Sequence, residues 1–208
     1  MANISLTSQC NRACSYCFAP ESASRSDAIF MSEAAFDRAL DFLERSEISE
    51  VRMLGGEPTV HPRFTKLLDR ALERSFRILL FSGGMIPGPV LARLSEIPED
   101  RLLLLLNVVS PDGDQRELKR QHEVMEVLGP RLAPGFNIDR PGVRLEFLIN
   151  LIGQHELARF VRLGLAHPIL DGDNRYLKSS FYPEVGGRVA NFAWLAREQG
   201  IEIEFDCG

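Results

Sequence analysis

The stretch "LLLLLNVV", residues 102–109, is the longest notable apolar run in the 208-residue chain. A strand that helices cover on both faces needs apolar residues at successive positions, whereas a half-exposed strand alternates apolar and polar residues. A membrane span needs about 20 apolar residues, so this run is far too short to cross a bilayer. The stretch therefore predicts a central strand of a parallel sheet in an α/β protein.

Extended segments alternate with amphipathic segments on both sides of this strand. We predict further strands at residues 2–8, 51–54, 77–81, 143–149 and 201–206. Apolar stripes at helical spacing, the first of them capped by Ser32, predict helices around residues 36–43, 64–72, 90–94, 118–128, 157–161 and 185–195. Six strands in this alternation fit either an open doubly wound sheet or an incomplete parallel barrel, and periodicity does not separate the two.

Composition and charge narrow the range of partners. Lys and Arg total 24 against 29 Asp and Glu, and the net charge of -5 gives no general attraction to nucleic acid or to an acidic membrane surface. The N-terminus lacks the basic and apolar regions of a signal peptide. We therefore expect a cytoplasmic protein without a membrane or nucleic-acid partner.

In both candidate folds, ligands bind at the carboxyl ends of the strands. This edge of the sheet is therefore predicted to hold the functional site. The residues that follow or end the predicted strands there are Cys10, Cys14 and Cys17 after the first, "GGEP" (Gly55, Gly56, Glu57 and Pro58) after the second, Ser82 after the third, Asn107 on the fourth and Asn150 after the fifth.

The spacing of the first three cysteines leaves three interpretations open. Positions 10, 14 and 17 could form a buried helical stripe, but the residues between them are polar. Structural zinc needs four closed ligands, so Cys207 or a distant histidine would have to supply the fourth. A four-iron, four-sulfur cluster held by three thiolates keeps one iron open to an exogenous ligand, as a catalytic cluster needs. The motif and its context together favour the cluster.

Two motifs resemble those of the radical S-adenosylmethionine superfamily. They are C-x-x-x-C-x-x-C, as "CNRACSYC" directly after the first strand, and "GGEP" at the end of the second. The resemblance implies a partial (β/α)6 TIM-like barrel with parallel strands and a 4Fe-4S cluster on Cys10, Cys14 and Cys17. It also implies that S-adenosylmethionine binds the open iron and is cleaved reductively to methionine and a 5′-deoxyadenosyl radical, which removes a substrate hydrogen atom.

The resemblance further implies which residues contact S-adenosylmethionine. The Glu57 carboxylate would accept hydrogen bonds from the methionyl ammonium group, and Ser82 would contact the methionyl carboxylate. Asn107, whose buried amide needs a partner, would bond a ribose hydroxyl. A turn-forming role for Ser82 and a backbone partner for Asn107 stay open. The other predicted contacts are Tyr16 and Phe18 beside the adenine, Gly55, Gly56 and Pro58 in the turn, and Asn150 in a role like that of Asn107. Burial of the cluster from water would also explain Tyr16 and Phe18.

We predict a radical S-adenosylmethionine core domain over residues 1–208, truncated before a cysteine-containing extension of which Cys207 would be the first residue. The enzyme would take its electron from an external donor such as a flavodoxin or ferredoxin. Barrel motifs do not report the substrate, and a peptide is favoured by analogy alone. The alternative is an iron-sulfur electron-transfer module, or a zinc-binding module, that never cleaves S-adenosylmethionine.

Overall fold

The computed structural model describes residues 3–17, 19, 27–169 and 174–206, and the chain divides into two compact units. Within those ranges, the first unit contains residues 3–12 and 27–106. The second unit contains residues 13–17, 19, 107–169 and 174–206. None of the helices in these ranges has the length and apolar character that a membrane span requires.

The first unit is a parallel sheet with a helix between successive strands. Its strands pair in chain order and are β1 (Asn3–Ser5), β2 (Glu50–Leu54), β3 (Arg77–Ser82) and β4 (Leu102–Asn107), the last residue of which belongs to the second unit. Its helices are α1 (Glu33–Arg45), α2 (Phe64–Glu73) and α3 (Gly88–Ser95). These elements confirm the sequence prediction, although β1 is shorter than residues 2–8.

Burial in the first unit follows the predicted pattern. Leu104, Leu105 and Leu106 of β4 are at most 4% exposed, so successive residues are covered on both faces of this strand. The apolar stripes of α1 and α2 are likewise buried. Ser32 caps α1 by accepting a hydrogen bond from the Ala35 N–H group at 3.2 Å, as its sequence position predicted.

Within its described residues, the second unit has three parallel strands and three α-helices. The strands, which also pair in chain order, are β5 (Leu132–Ile138), β6 (Phe160–Leu165) and β7 (Glu202–Asp206). The helices are α4 (Gln115–Leu128), α5 (Glu146–His155) and α6 (Tyr182–Glu198). The predictions for α4, α6 and β7 are confirmed, and the described residues contain seven strands where we predicted six.

Two predicted elements of the second unit are wrong. The second half of the predicted strand at 143–149 lies in α5. Val143 and Leu145 show the alternation of a strand, which led to the wrong prediction. The buried residues Leu145, Leu148, Ile149 and Ile152 have helical spacing instead. The predicted helix at 157–161 overlaps β6, which begins at Phe160.

The strand β5 was missed altogether. Its sequence "LAPGFNI" contains Pro134 and Gly135, two residue types that are depleted in strands. Both residues are buried, and Gly135 pairs with Arg162 of β6. Packing within the sheet has therefore overridden the local propensity that argued against a strand.

Ion pairs join α1 to α2 across the outside of the first unit. Glu33 accepts from Lys66 at 2.7 Å and from Arg70 at 3.0 Å, and it also pairs with Arg63. Farther along the helices, Arg74 lies 2.6 Å from Asp41. The hydrogen bond from Lys66, followed by that from Arg63, lowers the pKa of Glu33 from 4.5 to about 2.

This lowered pKa predicts a specific pH dependence of folding. A carboxyl group whose pKa is lower in the folded state stabilises the fold above its unfolded pKa of about 4.5, and this contribution is lost as the pH falls towards 2. We expect Glu33→Gln to lower the urea midpoint at pH 7, and the difference from the unmodified protein to shrink steadily between pH 5 and pH 3. Glu198→Gln, at an exposed position of α6, serves as the control. A difference for Glu33→Gln that stays constant over this pH range would contradict the assignment.

Candidate cofactor site at the carboxyl ends of the strands

The segment that leads into Cys10 is paired on both sides within the first unit. On one side, Leu6 donates to Leu54, Gly56 donates to Thr7 and Glu57 donates to Gln9, each at 2.8 Å. On the other side, Met31 donates to Leu6 at 2.8 Å and Ser8 donates to Ile29 at 3.0 Å. We call residues 10–17 the cysteine segment. Backbone hydrogen bonds therefore hold the exit of β2 against the residues that lead into this segment.

Gly55 and Gly56 permit this close approach. A Cβ atom at Gly55 would lie 2.4 Å from the Thr7 carbonyl oxygen, and a Cβ atom at Gly56 would lie 2.3 Å from that of Gln9. Both distances are shorter than van der Waals contact, and the obstructing atoms belong to backbone that cannot move away independently. These two glycines are therefore required by the geometry of the chain, whatever they also do for a ligand. Pro58 is buried and opens the short 3-10 turn Pro58–Val60.

The side chain of Glu57 is buried and engaged by the chain itself. Its Oε1 accepts from the Thr59 N–H group at 3.2 Å and from the Thr59 hydroxyl at 2.5 Å. Its Oε2 accepts from the Ser82 hydroxyl at 2.9 Å and from the Gly83 N–H group at 2.8 Å. Glu57 is 1% exposed and Ser82 is 3% exposed. The carboxylate thus joins the exits of β2 and β3, and binding of a cofactor ammonium group by Glu57 stays a prediction.

Ser82 has a clear role in this arrangement. Besides donating to Glu57, its hydroxyl oxygen accepts from the Gly84 N–H group at 3.0 Å. The turn-forming alternative for Ser82 therefore has direct support in the structure. Its predicted contact with the methionyl carboxylate stays a prediction.

Two residues that we did not single out connect the cysteine segment to the exit of β3. The Asn11 amide donates to the Met85 carbonyl at 2.7 Å, and the Arg12 guanidinium donates to the Gly83 carbonyl at 3.2 Å. The signal was present in the sequence, since both side chains are polar and lie between cysteines. Their partners lie more than 70 residues away along the chain, so the motif alone could not identify them.

The three cysteines are partly exposed and belong to different units, Cys10 to the first and Cys14 and Cys17 to the second. The Cys10 sulfur accepts from the Arg12 N–H group at 3.5 Å, and the Cys17 sulfur accepts from the Ala19 N–H group at 3.4 Å. A turn in the second unit is closed by the bond from the Cys17 N–H group to the Cys14 carbonyl at 3.0 Å. Among the described residues, no three His, Cys, Asp or Glu side chains are arranged as a metal site.

The remaining predicted site residues fall into three groups. Tyr16 and Asn107 are half-buried in the second unit, where the Asn107 carbonyl accepts from the Gln121 amide at 2.9 Å. Asn150 lies within α5 and is exposed, so the placement at a strand end for which we selected it is wrong. Phe18 and Cys207 lie outside the described residues.

Gln121 is a functional candidate that sequence reasoning missed. It is 1% exposed, and its amide also accepts from the Val109 N–H group at 2.9 Å, so it bridges the backbone on both sides of Val108. A buried amide that satisfies both its donor and its acceptor fixes the exit of β4. Gln121 lies on the buried stripe of α4, where the sequence pattern predicts an apolar side chain. A polar residue at such a position was the available sign that its side chain has a specific partner.

Comparison with known proteins identifies the family. The chain matches the model of the Radical SAM superfamily over residues 4–129, and it belongs to that superfamily. Its curated relatives include the GTP 3′,8-cyclase of Desulforamulus reducens, 26% identical over 170 residues, and mycofactocin maturase MftC of Mycobacterium ulcerans, 35% identical over 91 residues. The matches cover 80% and 43% of this chain, but 52% and 24% of those proteins. The chain thus spans about half the length of the first relative and less of the second.

Solved structures show the same fold. SuiB of Streptococcus suis bound to S-adenosylmethionine is 14% identical, with a TM-score of 0.78 over 99% of this chain and 49% of SuiB. SuiB bound to the precursor peptide SuiA gives a TM-score of 0.77 at the same identity. Together with the parallel strand pairing, this likeness confirms the predicted fold class, α/β with parallel strands in the manner of a partial barrel.

The close approach of the backbone at Gly56 predicts that substitution by alanine affects stability differently at Gly56 and at Gly88. Gly56→Ala should destabilise the protein by about 2 kcal/mol or more, because overpacking a fixed site costs about 1–3 kcal/mol. Gly88→Ala is the matched control, since a Cβ atom there would meet nothing within 4 Å and Gly88 opens α3. We expect Gly88→Ala to be neutral or slightly stabilising. Chemical unfolding of both variants measures the difference in stability. Equal stability would show that the backbone at Gln9 shifts to accommodate a Cβ atom at Gly56 with little cost.

The Glu57 hydrogen bonds predict a loss of stability that is independent of any ligand. Glu57→Ala removes the acceptor of the buried donors on Thr59 and Ser82 and of the partly buried Gly83 N–H group, and we expect it to cost about 3 kcal/mol or more. Glu50→Ala is the control, because its pairs with Arg52 and Arg77 are partly exposed and should contribute about 1 kcal/mol or less. Similar unfolding midpoints for the two variants would show that the Glu57 network contributes little to stability.

Proposed function

We propose that this chain is the radical S-adenosylmethionine domain of an enzyme that begins its reaction by abstracting hydrogen from a substrate. The observation that carries the proposal is the triplet Cys10, Cys14 and Cys17 within the part of the chain that matches the superfamily. An iron-sulfur electron carrier or a zinc module would explain the thiols, but neither would explain the match to this family.

The residues present fit a 4Fe-4S cluster by the chemistry of their donors. Three partly exposed thiols within eight residues supply soft ligands, and backbone N–H groups already donate to two of the sulfurs. Such N–H donors stabilise negative charge on ligand sulfurs and help to set the potential of a cluster. Cys10, Cys14 and Cys17 would hold three irons, and the fourth iron would be available to S-adenosylmethionine.

Held by Cys10, Cys14 and Cys17, a reduced cluster would supply the electron for reductive cleavage of S-adenosylmethionine to methionine and a 5′-deoxyadenosyl radical. The chain's own contribution is to hold and orient these groups. The backbone at Gly55 and Gly56 fixes the entry of the cysteine segment, and the Glu57 network keeps the exits of β2 and β3 in place. Contacts of Tyr16, Ser82 and Asn107 with S-adenosylmethionine remain proposals taken from the family resemblance.

We favour a peptide as the substrate class. The solved complex of SuiB with a precursor peptide supports this choice, and so does the name of the maturase relative. The name of the cyclase relative points instead to a nucleotide, but the net charge of -5 gives no general attraction to a polyphosphate. A flavodoxin or ferredoxin as the electron donor and a cytoplasmic location stay predictions from the sequence.

Anaerobic reconstitution tests the proposed function directly. With iron, sulfide, S-adenosylmethionine and dithionite, we expect the protein to form 5′-deoxyadenosine, measured by liquid chromatography. Cys10→Ala, Cys14→Ala and Cys17→Ala should each lose the cluster and this activity, because two irons would then lack a protein ligand. Cys207→Ala is the matched control and should retain iron and activity.

Three results would contradict the proposal. A colourless protein that binds zinc would indicate the zinc module. A reduced cluster that forms no 5′-deoxyadenosine would indicate the electron-transfer module. Loss of iron in Cys207→Ala would show that four cysteines close the site, and the open iron would then be absent.

A further inference from the structure

A nearly buried carboxylate lies at the carboxyl end of β5 in the second unit. Asp139 follows Ile138 directly and is 8% exposed. Its Oδ2 atom lies 3.5 Å from Nη1 of Arg175, and its Oδ1 atom has no hydrogen-bond or ion-pair partner in the part of the chain that the structure describes. Neither carboxylate oxygen is among the fully buried atoms that lack a partner in the described residues, so a donor from outside the chain can reach Oδ1.

The neighbouring arginines do not satisfy Asp139. A charge-assisted hydrogen bond has a length of about 2.7–2.9 Å, so the contact with Arg175 is too long, and the side chain of Arg175 is 54% exposed. Arg140, the next residue, is engaged elsewhere and lies 2.7 Å from both oxygens of Asp112. A half-exposed ion pair contributes little, so Arg175 leaves Asp139 able to accept a further donor.

The backbone around Arg175 is nevertheless firmly placed. The Arg175 N–H group donates to the Ser15 carbonyl at 2.7 Å, between Cys14 and Cys17. The buried amide of Asn174 donates to the His167 carbonyl at 2.9 Å. Farther along, Leu177 bonds to Ala166, which itself bonds to Ile138 at the end of β5. Residues 174–177 thus cross the carboxyl ends of β5 and β6, where folds of this class bind their ligands, and they reach the cysteine segment.

We propose that Asp139 forms a substrate subsite that binds a protonated amine, the lysine side chain or the amino terminus of a peptide. An ionised carboxylate only accepts hydrogen bonds, whereas an ammonium group only donates them, so the two are complementary and an anionic group would be repelled. The ammonium group takes Oδ1 while Arg175 keeps its position near Oδ2. The inference rests on the proposed function, because it identifies the substrate class of the same enzyme.

Equilibrium dialysis of the reconstituted protein tests the subsite with two blocked peptides. The probes are acetyl-Ala-Lys-Ala-amide and the matched acetyl-Ala-norleucine-Ala-amide, which lacks the ammonium group. We expect the lysine peptide to bind about tenfold more tightly than the norleucine peptide, as one hydrogen bond to a charged group provides. Asp139→Asn should abolish this preference, and Asp139→Glu should restore part of it. Asp112→Asn, at an exposed carboxylate already paired with Arg140, should retain it in full.

Equal binding of the two peptides to the unmodified protein, or no measurable binding of either, would overturn the subsite. So would an undiminished lysine preference in Asp139→Asn. If Asp139→Asn unfolds, the comparison of the two peptides on the unmodified protein and on Asp139→Glu still decides the matter. Formation of 5′-deoxyadenosine without peptide is measured on the same samples. Its absence from the unmodified protein counts against the proposed function, whereas equal binding of the two peptides to an unmodified protein that still forms 5′-deoxyadenosine overturns the subsite alone.

Discussion

The buried carboxylate of Glu57 is the constraint on which the strand exits of the first unit depend. A charged group that is 1% exposed requires donors, and the chain supplies them from Thr59, Ser82 and Gly83. The backbone of Glu57 meanwhile donates to Gln9, just before the first cysteine. One residue therefore links the exits of β2 and β3 to the cysteine segment. The motif "GGEP" thus has a structural role, which is to connect these strand exits. Any contact of its carboxylate with a cofactor would be additional.

The sequence was sufficient where one signal dominated. The continuous apolar run identified β4, and the stripes on α1 and α2 identified two helices without ambiguity. Prediction failed between residues 132 and 161, where the signals conflict. Pro134 and Gly135 argue against the strand that they occupy, and Leu145 belongs both to a short alternation and to a helical stripe. Packing in the folded chain decided both outcomes: it overrode local propensity in β5 and selected one of two plausible patterns at Leu145.

The candidate site shows a similar division. The cysteines and "GGEP" could be found because their chemistry is concentrated in short motifs. The contacts of Asn11, Gln121 and Asp139 could not be found, because each depends on a partner that is distant in sequence. The histidines illustrate the same limit: they have no metal-ligand spacing along the chain, yet Nδ1 of His122 lies 2.8 Å from Nε2 of His155. Only the topology of the sheet determines such pairs.

The hydrogen bonds around the cysteine segment also impose an order on biosynthesis. Cys10, Cys14 and Cys17 precede in the chain the groups that hold their segment, which come from residues 54–57, then 83–85, and finally Arg175. During translation, the segment therefore lacks its complete set of described partners until Arg175 has been added. Over that interval of more than 150 residues, the three thiols are open to metal or to oxidants.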